Sequence, residues 1–250
     1  MKIVATIEAR MGSTRLPGKV IKEIDGMPSL ELQIRRMRLS RHIDEIVLAT
    51  TDRKIDDVLV DFGRDVGVAV FRGSEDDVLA RILGAVQSVG GELHVQTTGD
   101  CPLIDPGAID QVIEVFLAGH GEFDFVSNEI TRSYPIGLDC RVFPVWVLEE
   151  VNILCDDPIH RVHGSTYIYT GPEPGRYRCH NILAPPELHY PDWRWALDTQ
   201  EDFIFLQTVA RHFSDRKVEL SARELAAWLQ LHPEIISINS HVPQKRLEEG

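Results

Sequence analysis

The sequence predicts an α/β protein with a three-layer, Rossmann-like architecture, in which helices cover both faces of a mostly parallel sheet. Short runs rich in β-branched residues alternate with segments of helical periodicity throughout the first half of the chain. This alternation implies right-handed crossover connections, which place successive strands parallel in one sheet. The 250 residues are enough for one large domain, and no internal repeat divides them. We therefore predict a single domain over 1–250.

Four strands are predicted in the first half by short apolar runs that end at loops: 2–7, 45–49, 68–71 and 93–97. Helices are predicted wherever apolar residues recur at the spacing of one helical face. These are Leu30, Ile34 and Met37; Ile55, Val58, Leu59 and Phe62; Val78, Leu79, Ile82, Leu83 and Val86; and Ile109, Val112, Ile113 and Phe116. Ligands of such sheets bind beyond the carboxyl ends of the strands, so the loops there are the first candidates for a site.

The second half has a looser pattern. From about Glu129, turn-forming proline and glycine residues interrupt the alternation. We predict that about 129–194 form a small lobe inserted into the domain, with strands near 140–143 and 176–182. The chain then returns to the core through a short β-like run at 195–197. A helix follows, lined by Phe203, Leu206, Ala210 and Phe213.

The composition excludes several classes of partner. The formal net charge of −13 argues against binding to nucleic acid or to an anionic membrane surface. No apolar run approaches the roughly 20 residues that cross a bilayer. The four cysteines form no Cys-x-x-Cys pair, so a disulfide framework or a zinc site is not expected. We therefore expect a cytoplasmic protein that acts on small molecules.

A cluster of basic and glycine residues directly follows the first predicted strand. It contains Arg10, Gly12, Ser13, Thr14, Arg15, Gly18 and Lys19. Glycines let backbone N–H groups approach an anion, while arginine and lysine neutralise its charge. The cluster therefore predicts a polyphosphate site held by Arg10, Arg15 and Lys19, with Ser13 and the loop amides, those of Ala9 and Gly12 included, assisting. It is not a P-loop, because Val20 stands where a hydroxyl would hold Mg²⁺. The alternative is an ordinary strand–helix connection with solvated charges.

Two separated aspartates follow β-like runs. Asp100 follows residues 95–99 at the carboxyl end of a predicted strand, and Asp198 comes after 195–197. In a parallel sheet, both carboxylates can converge on the same edge. Mg²⁺ takes one or two carboxylates and completes its shell with phosphate oxygens and water. The alternatives are a plain turn aspartate for Asp100 and a helix start for Asp198, with Thr199 and Asp202 as its capping box.

The turn after the third predicted strand is a candidate contact for a nucleotide base or ribose. Ser74 offers a hydroxyl, and the first amides of a helix are unpaired donors. Ser74 and Asp77 also match a capping box, so pure helix capping is the alternative.

The predicted lobe carries candidate residues for a second substrate. Tyr134, Asp139, Arg161 and His163 offer a phenol, a carboxylate, a cation and an imidazole. A substrate carboxylate would suit the bidentate guanidinium of Arg161, and His163 could position a hydroxyl. The alternative is that these side chains pack internally or face solvent.

Several of these segments together resemble a known family. Residues 9–19 read Ala-Arg-Met-Gly-Ser-Thr-Arg-Leu-Pro-Gly-Lys, and further matching segments follow in order at 43–50, 71–79, 98–105, 134–139 and 195–199. The chain resembles, over roughly 1–205, the cytidylyltransferases that activate acidic sugars, such as the 3-deoxy-manno-octulosonate and acylneuraminate enzymes. The likeness is greatest to the spore coat polysaccharide biosynthesis branch. Two positions depart from that pattern: Arg141, where an acidic residue is common, and Val162, where glutamate is common.

The resemblance implies a fold of the nucleotide-diphospho-sugar transferase type. It implies that Asp100 and Asp198 bind Mg²⁺ and that the 73–77 turn and Arg81 lie near the cytidine. It further implies homodimerisation through the lobe. Cytosine selectivity comes from the resemblance alone.

The expected reaction is in-line attack of an acceptor hydroxyl on the α-phosphorus of CTP, with release of pyrophosphate, for surface polysaccharide biosynthesis. The acceptor is expected to be an acidic sugar or a related hydroxy acid. Arg10, Lys19, Asp100 and Asp198 would be the catalytic residues. Three alternatives remain: a nucleotidyltransferase that uses UTP or GTP, a glycosyltransferase, and a nucleotide-binding regulator without turnover. The glycosyltransferase is disfavoured because residues 100–102 lack an Asp-x-Asp motif.

Overall fold

The computed structural model describes residues 1–244, and this part of the chain contains nine strands. They are β1 (Ile3–Glu8), β2 (Glu23–Ile24), β3 (Met27–Pro28), β4 (Glu45–Thr51), β5 (Ala69–Gly73), β6 (Leu93–Thr98), β7 (Phe125–Ser127), β8 (Arg141–Pro144) and β9 (Cys179–Asn181). Seven of them form the central sheet in the order β5-β4-β1-β6-β8-β7-β9, while β2 and β3 form a separate two-stranded hairpin.

The central sheet is mostly parallel. β1 pairs in parallel with both β4 and β6, and β4 pairs in parallel with β5. Only β8 runs against its neighbours, since it is antiparallel to both β6 and β7. The predicted fold class is therefore confirmed.

Ten α-helices are found within residues 1–244. They are α1 (Ser29–Met37), α2 (Asp57–Val66), α3 (Val78–Ser88), α4 (Pro106–Ala118), α5 (Val145–Leu154), α6 (Pro158–Val162), α7 (Tyr167–Thr170), α8 (Gln200–Phe213), α9 (Ala222–Gln230) and α10 (Pro233–Ile236). No helix in this described part is long and apolar enough to cross a membrane.

The sheet buries a different set of helices on each face. Ala5 and Ile7 of β1 pack in one core cluster with residues of α1 and α4, whereas Val4 packs in another with residues of α3 and α5. Successive side chains of a strand point to opposite faces, so both faces of β1 are buried. A third core cluster joins α8 and α9 to one another beside the sheet. This arrangement gives the three predicted layers.

Local sequence signals set several helix starts. Asp105 is the N-cap of α4, and its Oδ1 accepts a hydrogen bond from the Ala108 amide at 2.9 Å. Thr199 caps α8 in the predicted capping box with Asp202. The capping box predicted at Ser74 is wrong: Asp77 is the N-cap of α3, and the Ser74 hydroxyl instead accepts from the amides of 76 and 77 in a turn.

The second half of the chain departs from prediction in two places. Residues 195–197 are extended but belong to no strand. They are held by hydrogen bonds from the Trp195 amide to the Ile136 carbonyl at 2.7 Å and from the Leu197 amide to the Asp100 carbonyl at 2.8 Å. The predicted lobe, 129–194, contributes β8 and β9 to the central sheet. Its roles in acceptor binding and dimerisation stay predictions.

Candidate active site

Two adjoining cavities open at the carboxyl ends of β1 and β6. The first, the loop cavity, has a volume of about 340 Å³ and is lined by the basic loop, by α3 and by the end of β1. The second, the lobe cavity, has a volume of about 370 Å³ and is lined by residues of the 129–141 segment, by the end of β6 and by residues from later in the chain. Both cavities are lined by Thr98, Asp100, Arg141, His163 and Asp198. These five residues therefore mark the junction of two compartments.

Lys19 joins the two aspartates at this junction. Its Nζ lies 2.7 Å from Oδ1 of Asp198 and 3.3 Å from Oδ2 of Asp100. Burial by itself would lower the pKa of Lys19, but the two carboxylates outweigh that effect and raise it. Burial would likewise raise the pKa of Asp100, yet Lys19 and a hydrogen bond from Thr98 bring it down to about 2. The predicted convergence of the two aspartates is confirmed by this geometry.

Asp100 is placed by the tight turn at the end of β6. The Thr98 hydroxyl donates to Oδ1 of Asp100 at 2.6 Å. A Cβ on Gly99 would lie 2.8 Å from the Glu8 carbonyl oxygen and 2.9 Å from the Ala9 Cβ. Only glycine therefore allows β6 to end this close to the start of the basic loop.

Asp198 is placed by a buried cluster that the sequence did not reveal. The guanidinium of Arg194 bonds to Asp198 and lies 2.9 Å from Asp202. The Asp202 carboxylate also accepts from the Asp198 amide and from the Asn239 side chain, both at 2.9 Å. Since Asp202 is fully buried in α8, the cluster fixes the chain where it leaves the extended run. This contact network, rather than the end of a sheet strand, brings Asp198 to the site.

The cations of the basic loop are paired with carboxylates. Arg10 lies 2.7 Å from Glu75, and Arg15 lies 2.9 Å from Asp198. Each of these cations, like Lys19, therefore faces a carboxylate. A polyphosphate could take the place of that carboxylate, because both groups offer anionic oxygens. Of the predicted nucleotide contacts, those that line the loop cavity are Ala9, Arg10, Ser13, Arg15, Lys19 and Arg81.

Two predicted nucleotide residues lie outside the lining of the loop cavity. Gly12 belongs to the loop but does not line the cavity. Ser74 has its hydroxyl engaged in the turn described above, and its carbonyl accepts from Arg81. The hydrogen bonds of this turn, rather than a helix cap, therefore occupy the Ser74 hydroxyl in the nucleotide-free protein.

The four predicted acceptor residues separate into two pairs. Asp139 and His163 line the lobe cavity, whereas Tyr134 and Arg161 do not. Tyr134 is only 2% exposed and donates to Gln111 at 2.9 Å. The guanidinium of Arg161 is engaged by Asp77 at 2.6 Å and by groups at the end of α5. The structure therefore does not bring Tyr134 and Arg161 into the lobe cavity, and their polar groups have partners within the protein.

The structure adds residues to the lobe cavity that the sequence analysis did not select. Arg132 forms a bidentate pair with Asp139, at 2.9 and 3.3 Å. Arg141, which the sequence showed only as a departure from the family pattern, is bonded to Glu129 and lies 3.3 Å from the Ser165 hydroxyl. Burial raises the pKa of Asp139, and Arg132 opposes that rise. The lobe cavity thus presents two guanidinium groups, each held by a carboxylate.

The junction also fits a divalent cation. Among residues 1–244, no cluster of three or more His, Cys, Asp or Glu side chains could hold a metal alone. Asp100 and Asp198 nevertheless supply hard oxygen atoms around one cationic nitrogen, that of Lys19. Two carboxylates with substrate phosphate oxygens and water are a ligand set that Mg²⁺ accepts.

Comparisons with known proteins found cytidylyltransferases and related proteins. A family model described as cytidylyltransferase matches residues 4–132. A spore coat polysaccharide biosynthesis protein of Bacillus subtilis is 30% identical over 237 residues, covering 93% of this chain and 95% of that protein. A 3-deoxy-manno-octulosonate cytidylyltransferase of Trichlorobacter lovleyi is 34% identical over 122 residues, covering 48% of this chain and 47% of that enzyme. A solved cytidylyltransferase structure from Leptospira borgpetersenii has a TM-score of 0.88 and 30% identity, covering 98% of this chain and all of that one.

Proposed function

We propose, from the premise that this chain belongs to the cytidylyltransferase family, that it transfers CMP from CTP to a hydroxyl group of an acidic sugar or a related hydroxy acid. Membership confirms the resemblance read from the sequence. The observation that carries the proposal is the Lys19 bridge between Asp100 and Asp198. It lies where a cavity lined by cations meets a second cavity of similar size. Such a junction suits transfer between a bound triphosphate and a bound acceptor.

The basic loop would hold the triphosphate of CTP in the loop cavity. Arg10, Arg15 and Lys19 would leave their present carboxylate partners and bind phosphate oxygens, with Ser13 donating a hydrogen bond. The acceptor hydroxyl, held in the lobe cavity, would attack the α-phosphorus as pyrophosphate leaves in line. Positioning and charge neutralisation supply most of the catalysis in such transfers.

Asp100 and Asp198 would hold Mg²⁺ at the junction. When bound, the ion would neutralise charge on the phosphate oxygens and lower the pKa of an acceptor hydroxyl beside it. The displacement of Lys19 and Arg15 toward phosphate would free both carboxylates for this task.

The lobe cavity would bind the acceptor. The residues that would contact the acceptor there are Arg132, Asp139, Arg141 and His163. The two arginines offer fork-shaped pairs of donors to a carboxylate of the acceptor. The name of the Trichlorobacter relative, which activates an acidic sugar, supports this acceptor class. The name of the Bacillus relative supports a role in surface polysaccharide biosynthesis.

We also propose that the enzyme is a cytoplasmic homodimer that uses residues 129–194 as its interface. The four cysteines are unpaired thiols, as expected in a reducing compartment. Large apolar side chains are exposed on α5 and α6, among them Trp146 at 51% and Ile153 at 78%. Light scattering that gives a mass of one chain at micromolar concentration would contradict the dimer.

Pyrophosphate release tests the function. The protein should release pyrophosphate from CTP in the presence of Mg²⁺ when 3-deoxy-2-keto sugar acids, amino-sugar acids or phosphorylated hydroxy acids are supplied. EDTA should abolish the release. Release with UTP or GTP but not with CTP would contradict the cytidylyl assignment. CTP binding without release for every acceptor would favour the non-catalytic regulator.

A further inference from the structure

Glu8, the last residue of β1, lies in the lining of the loop cavity. Its side chain shares a face of the sheet with Val4 and Thr6, because alternate residues of a strand point the same way. Val4 packs with α3 and α5, and Thr6 bonds to His94, whose ring contacts Phe143 in the same cluster. Glu8 therefore projects toward α3.

One oxygen of the Glu8 carboxylate lacks a protein partner. Within residues 1–244 the carboxylate forms no ion pair, and its buried Oε1 atom has no hydrogen-bond partner. Burial raises its pKa to about 7, although Arg141, Arg81 and a hydrogen bond from the Gln96 side chain act in the opposite direction. A buried carboxylate oxygen without a donor is costly to the fold, so its presence calls for a reason.

Arg81 on α3 presents a second unpaired group in the same cavity. The residue is 4% exposed, and its Nε is buried without an acceptor. Its Nη1 is directed to the main-chain carbonyls of Ser74 and Glu75. An unpaired acceptor on β1 and an unpaired donor on α3 thus line one compartment.

Charge balance does not explain Glu8. Arg141 is already paired with Glu129, and Arg81 is directed to carbonyl groups. Neither forms an ion pair with Glu8 within the described residues. The Oε1 atom of Glu8 is therefore available to a ligand.

The position of Glu8 within the loop cavity favours a nucleotide base over phosphate. The basic loop crosses to the opposite side of the sheet, where Val20 packs in the cluster that contains α1. Lys19 and Arg15 mark that side as the phosphate end. Glu8 and Arg81 lie toward α3, and a carboxylate would repel phosphate there.

We propose that Glu8 selects cytosine: its carboxylate accepts a hydrogen bond from the 4-amino group, while Arg81 donates to an acceptor on the same base. Cytosine presents an amino donor at position 4, whereas uracil presents a carbonyl acceptor there. UTP would place two acceptors face to face and leave Glu8 unpaired. This inference rests on the proposed function, since it assigns a residue role within the same nucleotide site.

Binding measurements without acceptor test the role of Glu8 directly. Isothermal titration with Mg²⁺ would compare CTP, UTP and the triphosphate of 2-pyrimidinone riboside, which is CTP without its 4-amino group. Hydrogen bonds to charged groups predict that wild-type protein binds CTP about 10- to 100-fold more tightly than either analogue. In Glu8→Gln, whose amide can accept from cytosine or donate to uracil, the CTP-to-UTP ratio should fall to about threefold or less.

Glu75→Gln is the matched control. Glu75 also lines the loop cavity, but both of its oxygens face arginines, Arg10 and Arg53. This variant should keep the wild-type ratio. Thermal melting would establish that each variant is folded, and Glu8→Ala gives a second measurement of the same ratio.

The outcomes separate the inference from the proposed function. A wild-type CTP preference that persists in Glu8→Gln and Glu8→Ala overturns the role of Glu8 and leaves the function standing. A ratio that changes in Glu75→Gln and not in the Glu8 variants moves base selection to Glu75. Wild-type protein that binds UTP as tightly as CTP contradicts both the inference and the cytidylyl assignment.

Discussion

Replacing Glu8 with glutamine should stabilise the nucleotide-free protein at alkaline pH and leave its stability nearly unchanged at acidic pH. Glu8 lies at the end of β1, where burial raises the pKa of its carboxyl from 4.5 to about 7. Glutamine has nearly the same shape but carries no charge, so it removes the cost of taking a charged carboxylate out of water.

The sign and size of the effect follow from proton linkage. Between pH 4.5 and about 7, the folded protein keeps the Glu8 proton while the unfolded chain has lost it. The free energy of unfolding therefore falls as pH rises through this window. At about 1.4 kcal/mol for each pH unit, the full loss would be about 3 kcal/mol. Because part of the side chain reaches the cavity, we expect the glutamine variant to gain about 1–3 kcal/mol at pH 8.

Urea unfolding followed by circular dichroism at pH 4.5 and pH 8 would measure this difference. The exposed residue Glu122, replaced by glutamine, is the control, since it makes the same change in net charge. Its free energy of unfolding should stay within about 0.5 kcal/mol of wild type at both values. Identical pH dependence in Glu8→Gln and wild type would show that the carboxylate is paired or solvated, and the reasoning would fail.

Other substitutions test the remaining parts of the site. Asp100→Asn should lower turnover by about 100-fold or more with an unchanged circular dichroism spectrum, and near-normal pyrophosphate release would remove Asp100 from the metal site. Lys19→Ala should reduce kcat/KM for CTP by about 100-fold, whereas Lys22→Ala should not; equal effects in steady-state assays would contradict the phosphate role. Arg161→Ala should destabilise the fold by about 1–3 kcal/mol through its lost contacts, without changing the acceptor KM. Arg132→Ala should raise the acceptor KM without changing that for CTP, and the reverse pattern in these two variants would restore Arg161 to the acceptor site.

The first half of the fold was predictable because its signals are local. The predicted strands at 2–7, 45–49 and 93–97 differ from β1, β4 and β6 by at most two residues at an end. Apolar periodicity reports which side of an element is buried, whichever element covers it. The basic loop was equally visible, since its glycines, hydroxyls and cations are contiguous in the chain.

The sequence did not decide between the two possible environments of a polar side chain. Arg161 and Tyr134 have the right chemistry for an acceptor site, but tertiary contacts satisfy both of them elsewhere. Arg132 gave no stronger signal than other surface arginines until the structure paired it with Asp139. Glu8 did carry a signal, because a charged residue that ends an otherwise buried strand is unusual at that position.

The sequence alone determined the layered α/β fold, the basic glycine-containing loop after β1 and the two candidate metal aspartates, because each follows from spacing along the chain. Only the tertiary structure decided that Asp198, which lies 98 positions after Asp100 in the chain, returns to Asp100 and Lys19 through contacts with Arg194, Asp202 and Asn239. The tertiary structure also decided which charged side chains form ion pairs and which ones a ligand could contact. Pairing depends on distances of about 3 Å between residues far apart in sequence, and no local pattern encodes those distances.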